Sequence, residues 1–119
     1  MITAKWTGRA TGSNRRLETN RYGHIYSSKA YKGFKKGLAW TIAAARHHAI
    51  YLGHVRVDID YLIAAGRDID SLTKPVLDAI QLSGLIRNDN MVVKLYQRKR
   101  AKARGAEDEI EVTIREVAE

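Results

Sequence analysis

Four aspartates and a lysine lie close together in the middle of the chain, in a pattern that could support metal chemistry. Asp68 and Asp70 are two residues apart, Lys74 and Asp78 follow at intervals of four, and Asp89 comes eleven residues later. On an extended segment, two acids with this spacing point to the same side. Carboxylates held that close repel each other unless a cation lies between them, and Mg²⁺ prefers oxygen ligands while keeping waters for catalysis. The spacing therefore predicts a Mg²⁺ site with a lysine beside it.

The same residues also have purely structural interpretations, which the sequence leaves open. Asp70 precedes a predicted helix, where its side-chain oxygen could cap free backbone amides. Lys74 could form an ordinary intrahelical ion pair with Asp70 or Asp78, worth only about half a kcal/mol. Asn88 and Asp89 lie in an Asn-Asp-Asn segment, a composition that is common in turns without any function.

A second acidic pair competes for the role of metal ligand. Asp58 and Asp60 share the two-residue spacing, but they alternate with Val57 and Ile59, so we expect them on the solvated face of a strand. No metal-ligand spacing links the four histidines, which are His24, His47, His48 and His54. The sequence also contains no glycine-rich phosphate loop and no nucleophile elbow. The central acidic pair is therefore the stronger candidate.

The chain is strongly basic, and its charge is unevenly distributed. Lysine and arginine together number 21 against 13 aspartates and glutamates, giving a net charge of +8, and Glu18 is the only acid before Asp58. A basic face beside a local acidic pocket favours nucleic acid as a partner, with a basic solvated surface as the alternative. The absence of cysteine excludes disulfides and thiolate metal ligands. Without a long apolar run or a signal-peptide pattern, we expect a cytoplasmic protein that contacts no membrane.

Alternating hydrophobicity predicts the strands that must position these side chains. Four strands are expected at residues 2–7, 54–63, 91–97 and 109–115. A short extended piece is expected at residues 22–26. Segments 8–20 and 98–105 are expected to be loops, and the second of them is strongly basic.

Helical spacing of apolar residues predicts two helices. The first is long, with Ser27 or Ser28 as its N-cap and its end near residue 48. The second is predicted at residues 71–83 and stops at Gly84. The order of elements predicts one α+β domain over residues 1–119, with both helices packed on one face of a small sheet.

One stretch of the chain, from residue 67 to residue 92, reads RDIDSLTKPVLDAIQLSGLIRNDNMV. It is similar to the pattern D-x-D-N-x-x-K-x-x-x-D-A-L, a short gap, then G-x-x-x-D-D-x-x-V, and so resembles the RusA family of Holliday junction resolvases. The residues in register are Asp68, Asp70, Lys74, Asp78, Ala79, Gly84, Asp89 and Val92. Two positions depart from the pattern: Ser71 stands where the family favours Asn, and Asn88 where it usually has a first Asp.

The resemblance implies a small Mg²⁺-dependent endonuclease with a mixed sheet, acting as a homodimer and needing no other cofactor. It would make paired nicks across a four-way DNA junction, a step in DNA recombination and repair. By the same resemblance, Asp68, Asp70 and Asp89 would be the essential metal-binding acids. Lys74 would be the essential basic residue near the scissile phosphate.

Supporting and DNA-binding roles complete this hypothesis. Asp78 would partner Lys74, and Asn88 would offer an oxygen in place of the family's acid. The residues expected to contact DNA are Asn14, Arg15, Arg16, Lys32, Lys36, Arg67, Lys74, Arg98, Lys99 and Arg100. Two alternatives remain open: a related flap or fork nuclease, and a non-catalytic basic DNA-binding module whose acids are structural.

Overall fold

The computed structural model describes residues 1–15, 17–19, 23 and 25–118, with the backbone alone for residues 15, 18 and 25–27. Its strands are β1 (Ile2–Gly8), β2 (Leu17–Thr19), β3 (Ile25–Ser27), β4 (Val55–Ile63), β5 (Val92–Ala101) and β6 (Asp108–Glu116). Its helices are α1 (Lys29–Arg46) and α2 (Asp70–Leu82), with single 3-10 turns at Ser13–Arg15 and Asp89–Met91. Neither α-helix in this described part is long and apolar enough to cross a membrane.

Four strands form a mixed sheet in the order β1-β6-β4-β5. Strand β6 pairs antiparallel with both β1 and β4, whereas β4 and β5 are parallel. Parallel neighbours cannot be joined by a tight turn, and here α2 provides the crossover between them. The predicted α+β class with a mixed sheet and two helices is confirmed.

One face of the sheet is apolar, as strict alternation along β4 shows. Val55, Val57, Ile59, Tyr61 and Ile63 are buried, while the residues between them are only partly covered. These side chains share one core with the inward faces of both helices and with the alternate residues of β1 and β6. Asp58 and Asp60 therefore lie on the opposite, solvated face, as the sequence predicted.

Helix α1 begins directly after Ser28, one of the two serines predicted to be its N-cap. Ser28 is extended, and its hydroxyl accepts a hydrogen bond from the backbone amide of Tyr31 at 3.0 Å. The predicted end near residue 48 is too late, because His47 adopts a left-handed conformation with φ of 46° and closes the helix at Arg46. The Arg46 guanidinium then donates to the carbonyl of Ser83 at 2.8 Å, which ties the ends of the two helices together.

Two predicted loops contain strands. Residues 98–101 belong to β5, because they pair in register with residues 60–63 of β4. Only residues 102–107 form the connection to β6. In the predicted 8–20 loop, Leu17–Thr19 pairs antiparallel with Ile25–Ser27 to form a two-stranded sheet. The rest of the predicted extended piece at 22–26 lies partly outside the described residues.

A partly buried hydrogen-bond network fixes α2 on the sheet. The Tyr61 hydroxyl donates to Gln97 Oε1 at 2.7 Å, and Thr73 Oγ1 of α2 donates to the same oxygen at 2.9 Å. Burial raises the pKa of Tyr61, so its hydroxyl stays protonated as a donor at neutral pH. Strands β4 and β5 and helix α2 therefore meet at one amide oxygen.

Replacing Tyr61 with Phe tests this network. We expect Tyr61→Phe to lower the free energy of unfolding by about 1 kcal/mol, the typical net value of one hydrogen bond. For a chain of this size, that corresponds to a fall in Tm of roughly 3–6 °C. The control is Tyr96→Phe at an exposed position, which should leave Tm unchanged in thermal denaturation followed by circular dichroism. Equal Tm values for the two variants would show that the network does not stabilise the fold.

Candidate functional site

Two aspartates of the central motif are exposed at one end of the sheet. Asp68 and Asp70 lie where the chain leaves β4 and enters α2, and both are exposed. Neither carboxylate makes a hydrogen bond or an ion pair anywhere in the described part of the chain. Asp70 is the first residue of α2, and the residue at the N-cap position is Ile69. The capping interpretation of Asp70 is therefore wrong, and its oxygens remain available to a ligand.

Both carboxylates line an open cleft of about 1070 Å³. Its opposite wall is formed by the segment that follows β1, including Arg9, Gly12 and Asn14, and by the start of α1 at Ser28 and Ala30. An arginine and two free acids thus face the same space. This combination suits a cation together with an anionic ligand.

Close packing places the 9–14 segment against α2. A side chain at Gly12 would put a Cβ 2.8 Å from Ser71 Cβ and 2.9 Å from Asn14 Oδ1, closer than such atoms approach. Glycine is needed here for close approach, not for an unusual backbone angle. Ser71 immediately follows Asp70, so this contact fixes the distance between the two walls of the cleft.

A buried carboxylate, which the sequence analysis did not single out, holds the same walls together. Asp108 is only 4% exposed and accepts hydrogen bonds from Ala10 N at 2.9 Å, Arg67 Nη1 at 3.1 Å and Lys102 Nζ at 2.7 Å. Arg67 also donates to the carbonyl of Ala10. Asp108 therefore neutralises two cations and connects the segment after β1 with the segment that carries Asp68. Two of its three partners, Ala10 and Arg67, are distant in sequence, so no local pattern reveals this role.

Lys74 belongs to a second charged group, further along α2. Its ammonium lies 3.0 Å from Asp78 Oδ1 and 3.8 Å from Asp89 Oδ2, and Lys35 of α1 lies 3.5 Å from the other oxygen of Asp78. The hydrogen bond to Asp78, with a smaller contribution from the Asp89 charge, raises the pKa of Lys74. Lys74 is therefore a permanent cation at neutral pH and is unsuited to act as a general base.

The three acids expected around one metal do not converge within this chain. No group of three carboxylates or histidines among the described residues could hold a metal ion. Asp89 lies beside Lys74, whereas Asp68 and Asp70 line the cleft. The side-chain oxygen of Asn88 accepts a hydrogen bond from the backbone amide of Asn90 at 3.0 Å and so stabilises the local turn.

The donors in the cleft nevertheless fit Mg²⁺. This ion is commonly held by one or two carboxylates and fills its other positions with water and phosphate oxygens. Asp68 and Asp70 supply two such carboxylates with no protein partner among the described residues. The cleft is open, so water and a phosphate can reach them.

Several basic residues expected to contact DNA form ion pairs or hydrogen bonds with other groups of the protein. Arg67 binds Asp108, and Arg98 pairs with Asp60 on the solvated face of the sheet. The Lys99 ammonium donates to the carbonyls of residues 65 and 67 at 3.0 and 2.8 Å, which supports the backbone just before Asp68. Their DNA contacts stay predictions, and each side chain also has a structural role.

The remaining candidates lie on the surface. Asn14 lines the cleft, Lys32 and Lys36 are exposed on α1, and Arg100 is exposed on β5. The side chain of Arg15 and the whole of Arg16 lie outside the described part of the structure.

Comparison with protein-family models assigns the chain to a family. The family model for endodeoxyribonuclease RusA matches residues 7–115. The chain belongs to the RusA family. The match includes the cleft, the Lys74 group and most of β6, so the resemblance read from the central motif is confirmed. RusA membership implies endonuclease activity on Holliday junctions. The comparison with curated proteins gives no match.

The packing of Gly12 on Ser71 gives a test of how the RusA-type cleft is positioned. We expect Gly12→Ala to push the 9–14 segment away from α2 and to lower junction cleavage by about 10- to 100-fold, as small displacements of reacting groups do. Cleavage of a labelled junction is the measurement. Adding Ser71→Gly removes most of the clashing atoms, so the double variant should recover part of the activity.

The matched control is Gly33→Ala. A Cβ on Gly33 meets nothing within 4 Å, so this change should stabilise α1 by about 0.5–1 kcal/mol and leave cleavage intact. If Gly12→Ala cleaves as well as Gly33→Ala, the contact does not set the geometry of the cleft.

Proposed function

We propose that this protein is a Mg²⁺-dependent endonuclease that resolves four-way DNA junctions by paired nicks. The observation that carries the proposal is a pair of exposed carboxylates, Asp68 and Asp70, in an open cleft of a protein with a net charge of +8. Neither has a partner among the residues that the structure describes. Free acids facing a polyanion repel it unless a cation intervenes. Membership of the RusA family supports the same chemistry.

Asp68 and Asp70 would hold the metal in this mechanism. Bound Mg²⁺ supplies an activated water and neutralises charge on the scissile phosphate. Arg9 and Asn14, on the facing wall, would orient the DNA strand across the cleft. Asp108, through Arg67 and Ala10, would keep the two walls at the separation that the strand requires.

Lys74 would contribute positive charge. Its raised pKa keeps the ammonium protonated, so it can stabilise the charge that develops on the phosphate in the transition state. Asp78 would hold the lysine in position through the 3.0 Å contact. Asp89 lies 3.8 Å from Lys74 and would have to approach Asp68 and Asp70 to share their metal within one chain.

Changing Asp70 to Asn tests whether the protein is an enzyme. Asp70→Asn keeps the shape but removes the negative charge, so we expect Mg²⁺-dependent nicking of a synthetic four-way junction to fall by more than about 100-fold. Junction binding should persist, because removing an acid lessens the repulsion of DNA. Cleavage and electrophoretic mobility are measured on the same junction.

The matched control is Asp58→Asn, which alters an acid of the same spacing on the solvated face. Its carboxylate pairs with Arg56 on the face of the sheet that does not carry the core, so cleavage should be unchanged. A wild-type protein that binds junctions but does not cleave them with Mg²⁺ would instead be a DNA-binding module. Preferential cutting of flaps or forks in a panel of branched substrates would indicate a related nuclease.

A homodimer would place two sites on one junction, whose branches are themselves related by symmetry. A homodimer could also supply the third acid of each metal site, because Asp89 of one protomer could join Asp68 and Asp70 in the cleft of the other protomer. Within one chain the three acids stay apart, and this separation favours the shared arrangement.

Mixing two inactive variants tests the shared arrangement. In a heterodimer of Asp70→Asn and Asp89→Asn protomers, shared sites leave one of the two sites intact, so nicking by the purified heterodimer should return to about half of the wild-type rate. If every site draws its acids from one chain, both sites stay broken and the mixture remains inactive. Co-purification with two different tags verifies that mixed dimers form. Inactive mixed dimers would rule the shared site out.

A further inference from the structure

The outer face of α1 carries a stripe of exposed side chains that the core does not use. Lys29, Lys32, Lys36 and Trp40 recur at helical spacing and are all exposed. The opposite face of the helix, including Leu38 and Ile42, is fully buried. The fold therefore fixes which side of α1 faces outward, and the described part of the chain leaves that side exposed.

All charged side chains of the stripe are basic. Helix α1 has 18 residues and contains no acid. Lys35, on the side nearest α2, is neutralised by Asp78 at 3.5 Å. By contrast, Lys29, Lys32 and Lys36 form no ion pair in the described part of the chain. Three unneutralised ammonium groups on successive turns complement a polyanion and would repel a second copy of the same face.

Trp40 gives this stripe a second chemical character. Its side chain is 69% exposed, an unusual position for the largest apolar residue. The Lys36 ammonium lies 5.6 Å from the centre of its ring. An open indole face beside lysines is the arrangement with which proteins stack on unpaired bases while binding the backbone.

We propose that the outer face of α1 binds DNA and that Trp40 stacks on a base left unstacked at the branch point. The proposal rests on the junction nuclease activity proposed above and assigns the residue that recognises the branch. The lysines contact phosphates of any sequence, whereas an indole gains only where a base is exposed. The face thus distinguishes branched DNA from a continuous duplex.

The position of the helix sets the distance between recognition and cleavage. Helix α1 begins at the cleft, where Ser28 and Ala30 form part of the wall. Trp40 lies ten residues beyond Ala30, which is about 15 Å along the axis at 1.5 Å per residue. This length corresponds to roughly four nucleotides at 3.4 Å each. A strand lying along α1 would therefore reach the near wall of the cleft about four nucleotides from the stacked base.

Binding measurements without metal test the proposal, because they do not require cleavage. Fluorescence anisotropy in EDTA compares a four-way junction with a duplex of the same sequence for Trp40→Ala, Trp40→Phe and Lys36→Gln. Trp40→Ala should weaken junction binding by about 5- to 100-fold and duplex binding by far less, and Trp40→Phe should retain much of the affinity. Lys36→Gln should weaken both substrates alike and reduce the salt dependence.

A base analogue at the branch point gives a direct signal. 2-Aminopurine placed there should be quenched by the wild-type protein and not by Trp40→Ala. Equal binding of wild type and Trp40→Ala, or equal losses on junction and duplex, would overturn the proposal. So would a change in sedimentation mass for Trp40→Ala, because it would show a contact between protein chains. Failure of the nuclease itself would appear separately, as wild-type protein that binds but does not nick.

Discussion

The parallel pairing of β4 with β5 is the constraint on which the rest of the structure depends. Parallel neighbours require a crossover that returns the chain to the same end of the sheet, and α2 is that crossover. Its first residue, Asp70, must therefore lie at the end of β4, where the cleft opens. The return segment carries Asp89 toward the start of β5, which explains why the acids of one short motif occupy two places. The network at Gln97 then fixes α2 against both strands.

The cleft depends on long-range contacts more than on the motif itself. Asp108 joins the segment after β1 to the segment before α2, and Lys99 of β5 supports the backbone just before Asp68. A buried acid with two cationic partners is costly to leave unpaired, so these loops are stabilised together. Exposed carboxylates can then stay unpartnered without loosening the fold, since the charges that hold the walls are different from those that would meet the ligand.

The features that the sequence predicts correctly depend on interactions between residues that are close in the chain, whereas the features that it does not predict depend on long-range contacts. The alternation that buries Val57 and Ile59 and the hydroxyl cap of Ser28 are local, so they were predicted correctly. The extension of β5 through Arg98 and its neighbours was missed, because those residues show no apolar alternation and are held by pairing with β4. The anchoring role of Asp108 and the placement of Asp89 beside Lys74 depend on tertiary contacts that no spacing encodes.

Strand β5 has a consequence for the behaviour of the protein in solution. It is ten residues long, lies at the edge of the sheet and is exposed along most of its length. Long edges of this kind invite pairing with another chain, and natural proteins resist it with charge. Lys94 and Arg100 provide that charge here, and a net charge of +8 adds to the repulsion. Neutralising Arg100, one of the residues predicted to contact DNA, would therefore also remove part of the protection against aggregation.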